Sequence, residues 1–245
     1  MSAREILVAA IADQLEGART IAVGASSPYP AAGAMLLRAR HAARGLPGVR
    51  ISVLGSREHN FFTNGAFELF DAAAQGRIDA FFLGGGEIDG EANVNLVGLG
   101  EYPRSTVRWP GSFGSAYLYY LVPRVILFRE EHSPRALVRR VAFVSAPGVT
   151  QGVKRSGGPQ ALITSKALFT FDRARKRFAL RSVHGGARAE DIRALTGFDY
   201  DAPDDPPATP SPDPETLALI RGRVTDELGE TYPQFAAALA AERGG

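Results

Sequence analysis

Hydrophobic and polar positions along this chain fall into short apolar runs of strand length, separated by stretches with helical spacing. Residues 1–11 set Ile6, Leu7, Val8 and Ile11 among small and polar positions, which predicts an opening helix. Residues 20–24 read as a short buried strand. A loop over 25–30 follows, and the Ala, Leu and Arg of about 31–43 predict a helix. A second strand runs over 49–54 and stops at Gly55; after a polar loop comes a helix over about 66–75, and then a third strand from Ile78 through Leu83. Strands alternating with helices and short loops predict an α/β fold: a central, mostly parallel sheet flanked by helices.

Two further apolar runs, 125–128 and 141–144, also have strand length. From Ala161 the pattern changes. The blocks 162–164, 167–172 and 178–183 are spaced as antiparallel strands, with the polar turn 172–177 between the last two, so the C-terminal portion is expected to be β-rich. Residues 201–214 hold six prolines among several aspartates, too stiff for a helix or a central strand, and should run extended over a surface. A last helical pattern over about 215–228 follows. No internal repeat interrupts this order, and 1–245 reads as a single domain.

Composition narrows the partners. With 22% charged residues and a net charge of +2, neither a nucleic acid nor a membrane surface is indicated. No uncharged apolar run approaches the roughly 20 residues that span a bilayer. The absence of cysteine removes disulfides, thiolate metal sites and a cysteine nucleophile, and makes reducing cytoplasm the easiest compartment. The N-terminus carries Glu5 and lacks the long apolar core of a signal peptide.

The densest candidate chemistry follows the third strand, where Phe81-Phe82-Leu83 runs into Gly84, Gly85 and Gly86. Glycines at the carboxyl end of a strand let a backbone approach a ligand closely; tight strand-to-loop packing is the competing explanation. Glu87, Asp89, Glu91, Asn93 and Asn95 alternate behind them, so an extended segment would turn them to one side, as a cleft wall or as hydrogen bonds that hold the loop. A metal site fits poorly, because EF-hand spacing is missing and no histidine lies nearby. No helix follows at once to receive a dinucleotide pyrophosphate, and Gly-x-Ser-x-Gly does not occur. Ser26 and Ser27, after the first strand, are either cleft contacts or a helix cap. His132 is either a base or a structural histidine. Trp109, Tyr117, Tyr119 and Tyr120 are core, pocket-lining or partner-packing aromatics.

Taken together, several motifs resemble the β-type subunit of the class I coenzyme A transferases, the glutaconate and 3-oxoacid groups included. They are Gly76-Arg77-Ile78-Asp79 leading to 83–89, Asn93-Val94-Asn95, Pro110-Gly111-Ser112-Phe113-Gly114, Glu131-His132-Ser133, Ile163 to Phe169, and Ala189 to Phe198. The resemblance covers most of the chain. It implies the α/β fold of the NagB/RpiA/CoA-transferase type, an α-type subunit as partner, no resident cofactor, and a coenzyme A thioester as substrate in a cleft shared with that partner.

In transferases of this type a strand-end glutamate of the β-type chain attacks the thioester, forming an anhydride and then a glutamyl-CoA thioester. Simple alignment puts Gly55 at that place. Glu58 lies three positions late and is the catalytic substitute in the loop, with a solvated or paired loop glutamate as the alternative. The missing carboxylate is shared with a branch of CoA-ester hydrolases that open steroid rings using a glutamate of the α-type chain; a non-catalytic scaffold subunit is the further alternative. The resemblance also implies that Gly111, Ser112, Phe113 and Gly114 occupy the place of an oxyanion loop, with Phe113 standing where a glycine is usual; on the same reading the amides of Gly84–Gly86 face the acyl or thiol end of the substrate, and Glu87, Asp89 and Asn93 belong to the wall of its cleft.

Overall fold

The computed structural model describes residues 1–63 and 65–242. The chain forms two compact units, one from residues 1–82 and the stretch beginning at Thr209, the other from residues 83–208.

The first unit opens with α1 (Ala3–Gln14), whose N-terminus is closed by a capping box: Ser2 Oγ accepts the Glu5 N–H and the Glu5 carboxylate accepts the Ser2 N–H. Residues 6–12 are all buried, and the helix packs on α2 (Pro28–Ala43). Helix α2 starts earlier than the sequence pattern indicates, since prolines are accommodated in a first turn that has no N–H partners to lose. Around it lie β1 (Thr20–Val23), β2 (Arg50–Val53), α3 (Gly65–Ala74) and β3 (Ala80–Leu83). Strand β1 is central and parallel to both neighbours, with Ile21 level with Ile51 on one side and Ala80 on the other.

The second unit begins with two small antiparallel ladders that the apolar pattern did not reveal, β4 (Glu87–Ile88) with β5 (Val94–Asn95) and β6 (Gly98–Leu99) with β7 (Val107–Arg108). A short helix, α4 (Ser115–Leu121), leads to β8 (Arg124–Arg129). Strand β8 pairs in parallel with β9 (Pro159–Thr164), which continues antiparallel into β10 (Ala167–Asp172) and β11 (Arg177–Val183), the expected β-rich portion. Helix α5 (Ala189–Leu195) follows, and Phe169, Phe178, Phe198 and Tyr200 form an aromatic core beside it. Parallel pairing thus prevails through β1, β2, β3, β8 and β9, as an α/β fold requires.

Two expectations are corrected. Residues 141–144 are not a strand: the Val141 and Ala142 N–H groups donate to Asp89 and Glu87 carboxylates, so the backbone bonds a ladder would need are spent on side chains, and Phe143 and Val144 stand exposed. The helix at 215–228 is not the last. Helix α6 (Pro214–Leu219), a π-turn at Ile220–Val224 and α7 (Thr225–Leu228) run on without a break, and α8 (Pro233–Ala241) follows. The proline segment does run extended. It lies along β11, where the Leu180 N–H donates to Asp201 O and the Val183 N–H to Pro207 O, and it covers an edge that would otherwise expose unpaired donors.

Candidate functional site

The glycine run after β3 is explained by crowding. A Cβ at Gly84 would stand 2.9 Å from Phe128 O, at Gly85 2.4 Å from Val94 Cγ1, and at Gly86 2.1 Å from Trp109 Cη2. None of the three adopts a positive φ, and the Gly86 N–H donates to Asn95 O at 2.9 Å. Close approach is therefore the reason for these glycines, and what approaches is the protein's own indole and backbone.

The polar row behind them is a network that pins loops. Glu87 is buried and its Oε2 accepts from Asn95 Nδ2 at 2.8 Å and from the Ala142 N–H at 2.8 Å. Asp89, also buried, accepts from the Glu91 and Asn93 N–H groups with Oδ1, and from Asn93 Nδ2 and the Val141 N–H with Oδ2. Asn93 Oδ1 takes the Gly148 N–H, and Asn95 Oδ1 takes those of Val97 and Gly98. These groups hold segments 91–98 and 141–148 with charge-assisted bonds. On the outer side Asp89, Glu91 and Asn93 line an open cleft of about 1090 Å³ together with Arg139, Arg140 and Lys176. Arg155 extends the same framework: its guanidinium donates to Pro147, Gly148 and Tyr119 carbonyls, and Tyr119 donates to Ala92 O.

The loop 111–114 offers less to an oxyanion than its sequence implies. The Gly111 N–H already donates to Leu96 O at 3.1 Å, and the Gly114 carbonyl accepts the first bond of α4 from Leu118. Phe113 is 80% exposed, while Ser112 O accepts the Ser115 N–H. His132 is structural: it is buried with Nδ1 2.7 Å from Thr164 Oγ1 and Nε2 3.0 Å from Thr196 Oγ1, and burial pulls its pKa down to about 4. Tyr119 is fully buried, whereas Tyr117 is exposed.

In the first unit the exits of β1 and β2 carry the remaining candidates. Ser26 adopts a left-handed φ of 56°, and the Ser27 N–H donates to Tyr232 Oη at 3.2 Å. Ser27 forms no side-chain cap on α2; its hydroxyl donates to Ala25 O. Gly55 has φ 93° and nothing within 4 Å of the place a Cβ would take. Glu58 is exposed and makes no hydrogen bond or ion pair among the described residues. A carboxylate is nevertheless present at this exit, and sequence reasoning missed it. Glu230, from the turn between α7 and α8, accepts from Ser56 Oγ at 2.6 Å and from the Arg57 N–H at 3.0 Å. The Ser56 bond comes first among the effects that hold its pKa near 2, followed by donation from Thr231 and the Arg57 amide. No sequence signal links positions 174 residues apart.

The model of the family described as coenzyme A transferase matches residues 5–195 of this sequence. The chain belongs to the coenzyme A transferase family. It is 30% identical over 161 residues to the B-type subunit of glutaconate CoA-transferase from Acidaminococcus fermentans, covering 62% of this chain and 59% of that one. It is also 30% identical over 130 residues to the B-type subunit of 3-oxoadipate CoA-transferase from Pseudomonas knackmussii, half of each chain. The aligned stretches thus span about half to three-fifths of these curated relatives. Over nearly its whole length the fold is similar to a chain of the decarboxylase AibA/AibB, with a TM-score of 0.77 at 23% identity covering 97% of this chain and 98% of that one. The β-type resemblance read from the motifs is borne out by the family match and by these two relatives. Among the described residues no helix is long and apolar enough to cross a membrane.

Proposed function

We propose that this coenzyme A transferase family member is the B-type subunit of a heteromeric enzyme acting on an acyl-CoA thioester, at a site shared with an α-type chain that supplies the nucleophilic carboxylate. The observation that carries this reading is the bare exit of β2: Gly55 offers no side chain, and Glu58 is an exposed loop carboxylate with nothing among the described residues to orient it. A covalent nucleophile must sit within about 0.5 Å of its productive position, which an unsupported loop side chain does not provide. Glu230 stands at the same exit, but both of its oxygens accept hydrogen bonds, and a carboxylate so stabilised is a weak attacking group. The coenzyme A thioester is the substrate rather than a resident cofactor, and a cytoplasmic site of action suits a chain without cysteine.

Hydrolysis of the thioester is the second reading, favoured by the same bare strand end, because water replaces the acceptor carboxylate once the partner's glutamate has been acylated or has activated it. The test is to co-express the chain with an α-type partner and measure acyl-CoA turnover with and without an acceptor acid. Turnover that needs the acceptor identifies transfer; turnover without it identifies hydrolysis. Glu58→Gln should leave kcat within about twofold of the parent. A fall of roughly a thousandfold would return the nucleophile to this chain and overturn the proposal.

A further inference from the structure

Arg139, Arg140, Lys176 and Arg177 gather on one open cleft of about 1090 Å³ in the second unit. Arg177 is tied to Asp201 at 2.7 Å, whereas the side chains of Arg139, Arg140 and Lys176 make no hydrogen bond or ion pair among the described residues. We propose that this cleft binds a phosphorylated small molecule whose body also carries hydroxyl or amino donors, the chemistry that nucleotides and sugar phosphates share. Like charges brought to one place from two separate segments repel each other, and these three gain nothing from the fold in return. An anion supplied from outside is what would offset that repulsion.

The cations stand on backbone that is already fixed. Arg139 and Arg140 lie between two anchors, the Val138 N–H donating to Ile88 O at 2.9 Å and the Val141 N–H to Asp89 Oδ2 at 3.3 Å. Lys176 belongs to the turn between β10 and β11, where Asp172 Oδ1 accepts the Ala174 and Arg175 N–H groups and Asp201 holds both Arg175 and Arg177. It adopts a left-handed φ of 52°, a conformation easier for glycine or asparagine. Little ordering of the main chain therefore remains to oppose binding, and paired guanidinium groups suit the bidentate geometry of a phosphate.

The carboxylates of the cleft define the rest of the ligand. Asp89 is spent, since its two oxygens accept four protein donors. Glu91 and Asp199 line the same space with no hydrogen bond or ion pair to their side chains among the described residues. A carboxylate only accepts, so these two repel a bare inorganic anion and select a molecule that brings O–H or N–H donors along with its phosphate. The location also separates this cleft from the strand exits. Arg173, in the same turn as Lys176, donates to the Pro123, Gly158 and Pro159 carbonyls, which places the turn at the amino ends of β8 and β9. Sheets of this type receive their substrates at the carboxyl ends.

The test titrates the full chain by calorimetry with ATP and with fructose 1,6-bisphosphate, no divalent metal being added, and with inorganic tripolyphosphate as the control for charge alone. At least one of the two organic probes should bind saturably, and which one does so tells a nucleotide site from a sugar phosphate site. Tripolyphosphate should bind at least about tenfold more weakly, and Glu91→Gln combined with Asp199→Asn should narrow that gap. Arg139→Gln with Arg140→Gln should weaken the probe at least about tenfold, and Lys176→Gln should weaken it independently. All three positions carry exposed or half-buried side chains without partners, so thermal melting should stay at the parent value; if the double variant does not fold, Arg139→Gln alone takes its place. Absence of saturable binding by either probe up to millimolar concentration would sink the proposal, as would an affinity indifferent to the arginines. Tripolyphosphate binding as tightly as the organic probe would count against it equally. Because no thioester or partner chain enters the experiment, its failure is separate from failure of the acyl-CoA reading.

Discussion

Gly86 shows how one residue can be read correctly as a close-approach position and still leave its neighbour unidentified. Three glycines after a strand announce that something passes near the backbone, whether ligand or protein. Here it is the ring of Trp109, which lies 23 positions on and packs where a Cβ would be, with Cη2, Cζ2 and Cζ3 all within 2.3 Å of that point. A rigid indole cannot yield as a flexible side chain would. Gly86→Ala should therefore lower unfolding stability by about 1–3 kcal/mol, read from urea midpoints, although the chain's φ at this position would accept alanine. Glu87 and Asp89 behave in the same way: their alternation was visible, but their backbone N–H partners at Val141 and Ala142 are more than fifty positions away.

At the scale of elements, the sequence marks where helices and strands begin better than it marks what their termini hold. The capping box at Ser2 and Glu5 is a local pattern, yet Glu5 does more than cap. Its side chain is wholly buried and pairs with Arg221 in the π-turn after α6, at 2.6 and 3.2 Å. Burial works to raise the Glu5 pKa; the bonds from Arg221 and the Ser2 N–H outweigh it, and the carboxyl titrates below its ordinary value. Glu5→Ala removes the ion pair with Arg221 and the carboxylate arm of the capping box together, and should cost more than loss of the cap alone. Ser2→Ala removes only the cap and should cost about 1 kcal/mol. Chemical denaturation of both variants separates the two contributions; equal losses would show that the ion pair adds nothing to the cap.

For the whole molecule, pH offers a direct reading of burial. His132 and His184 both lie in the second unit, and burial, the largest effect on each, lowers each pKa to about 4 from an ordinary 6.5. Above pH 6.5 both are neutral whether folded or unfolded, and stability does not depend on them. Between pH 6.5 and 4 the unfolded chain binds protons that the fold refuses, so stability must fall as pH falls, by up to roughly 3 kcal/mol for each histidine, and then level off below 4. Glu131 acts further down. Bonds from Arg135, Ser133 and Arg129 hold its pKa near 2, so its contribution is lost only as pH falls from about 4.5 towards 2. Urea midpoints at pH 7.5 and 5.0 check the first window; replacing His132 by glutamine should flatten it, and an unchanged slope would contradict the burial account.

Much of this protein was legible in its sequence because the responsible physics is local. Apolar runs of strand length, helical spacing, prolines at 201–214 and the ordered motifs from Gly76 to Phe198 were enough for the α/β class, the β-rich portion and the coenzyme A transferase resemblance. The missed helix α8 and the false strand at 141–144 mark the limit of that reasoning, since whether a short apolar run becomes strand or loop depends on which groups take its N–H bonds. Only the tertiary structure decided what surrounds the strand end at Gly55. Folding brings Glu230 across 174 positions to Ser56 and Arg57, and no periodicity in the chain records a contact made by closing so long a loop.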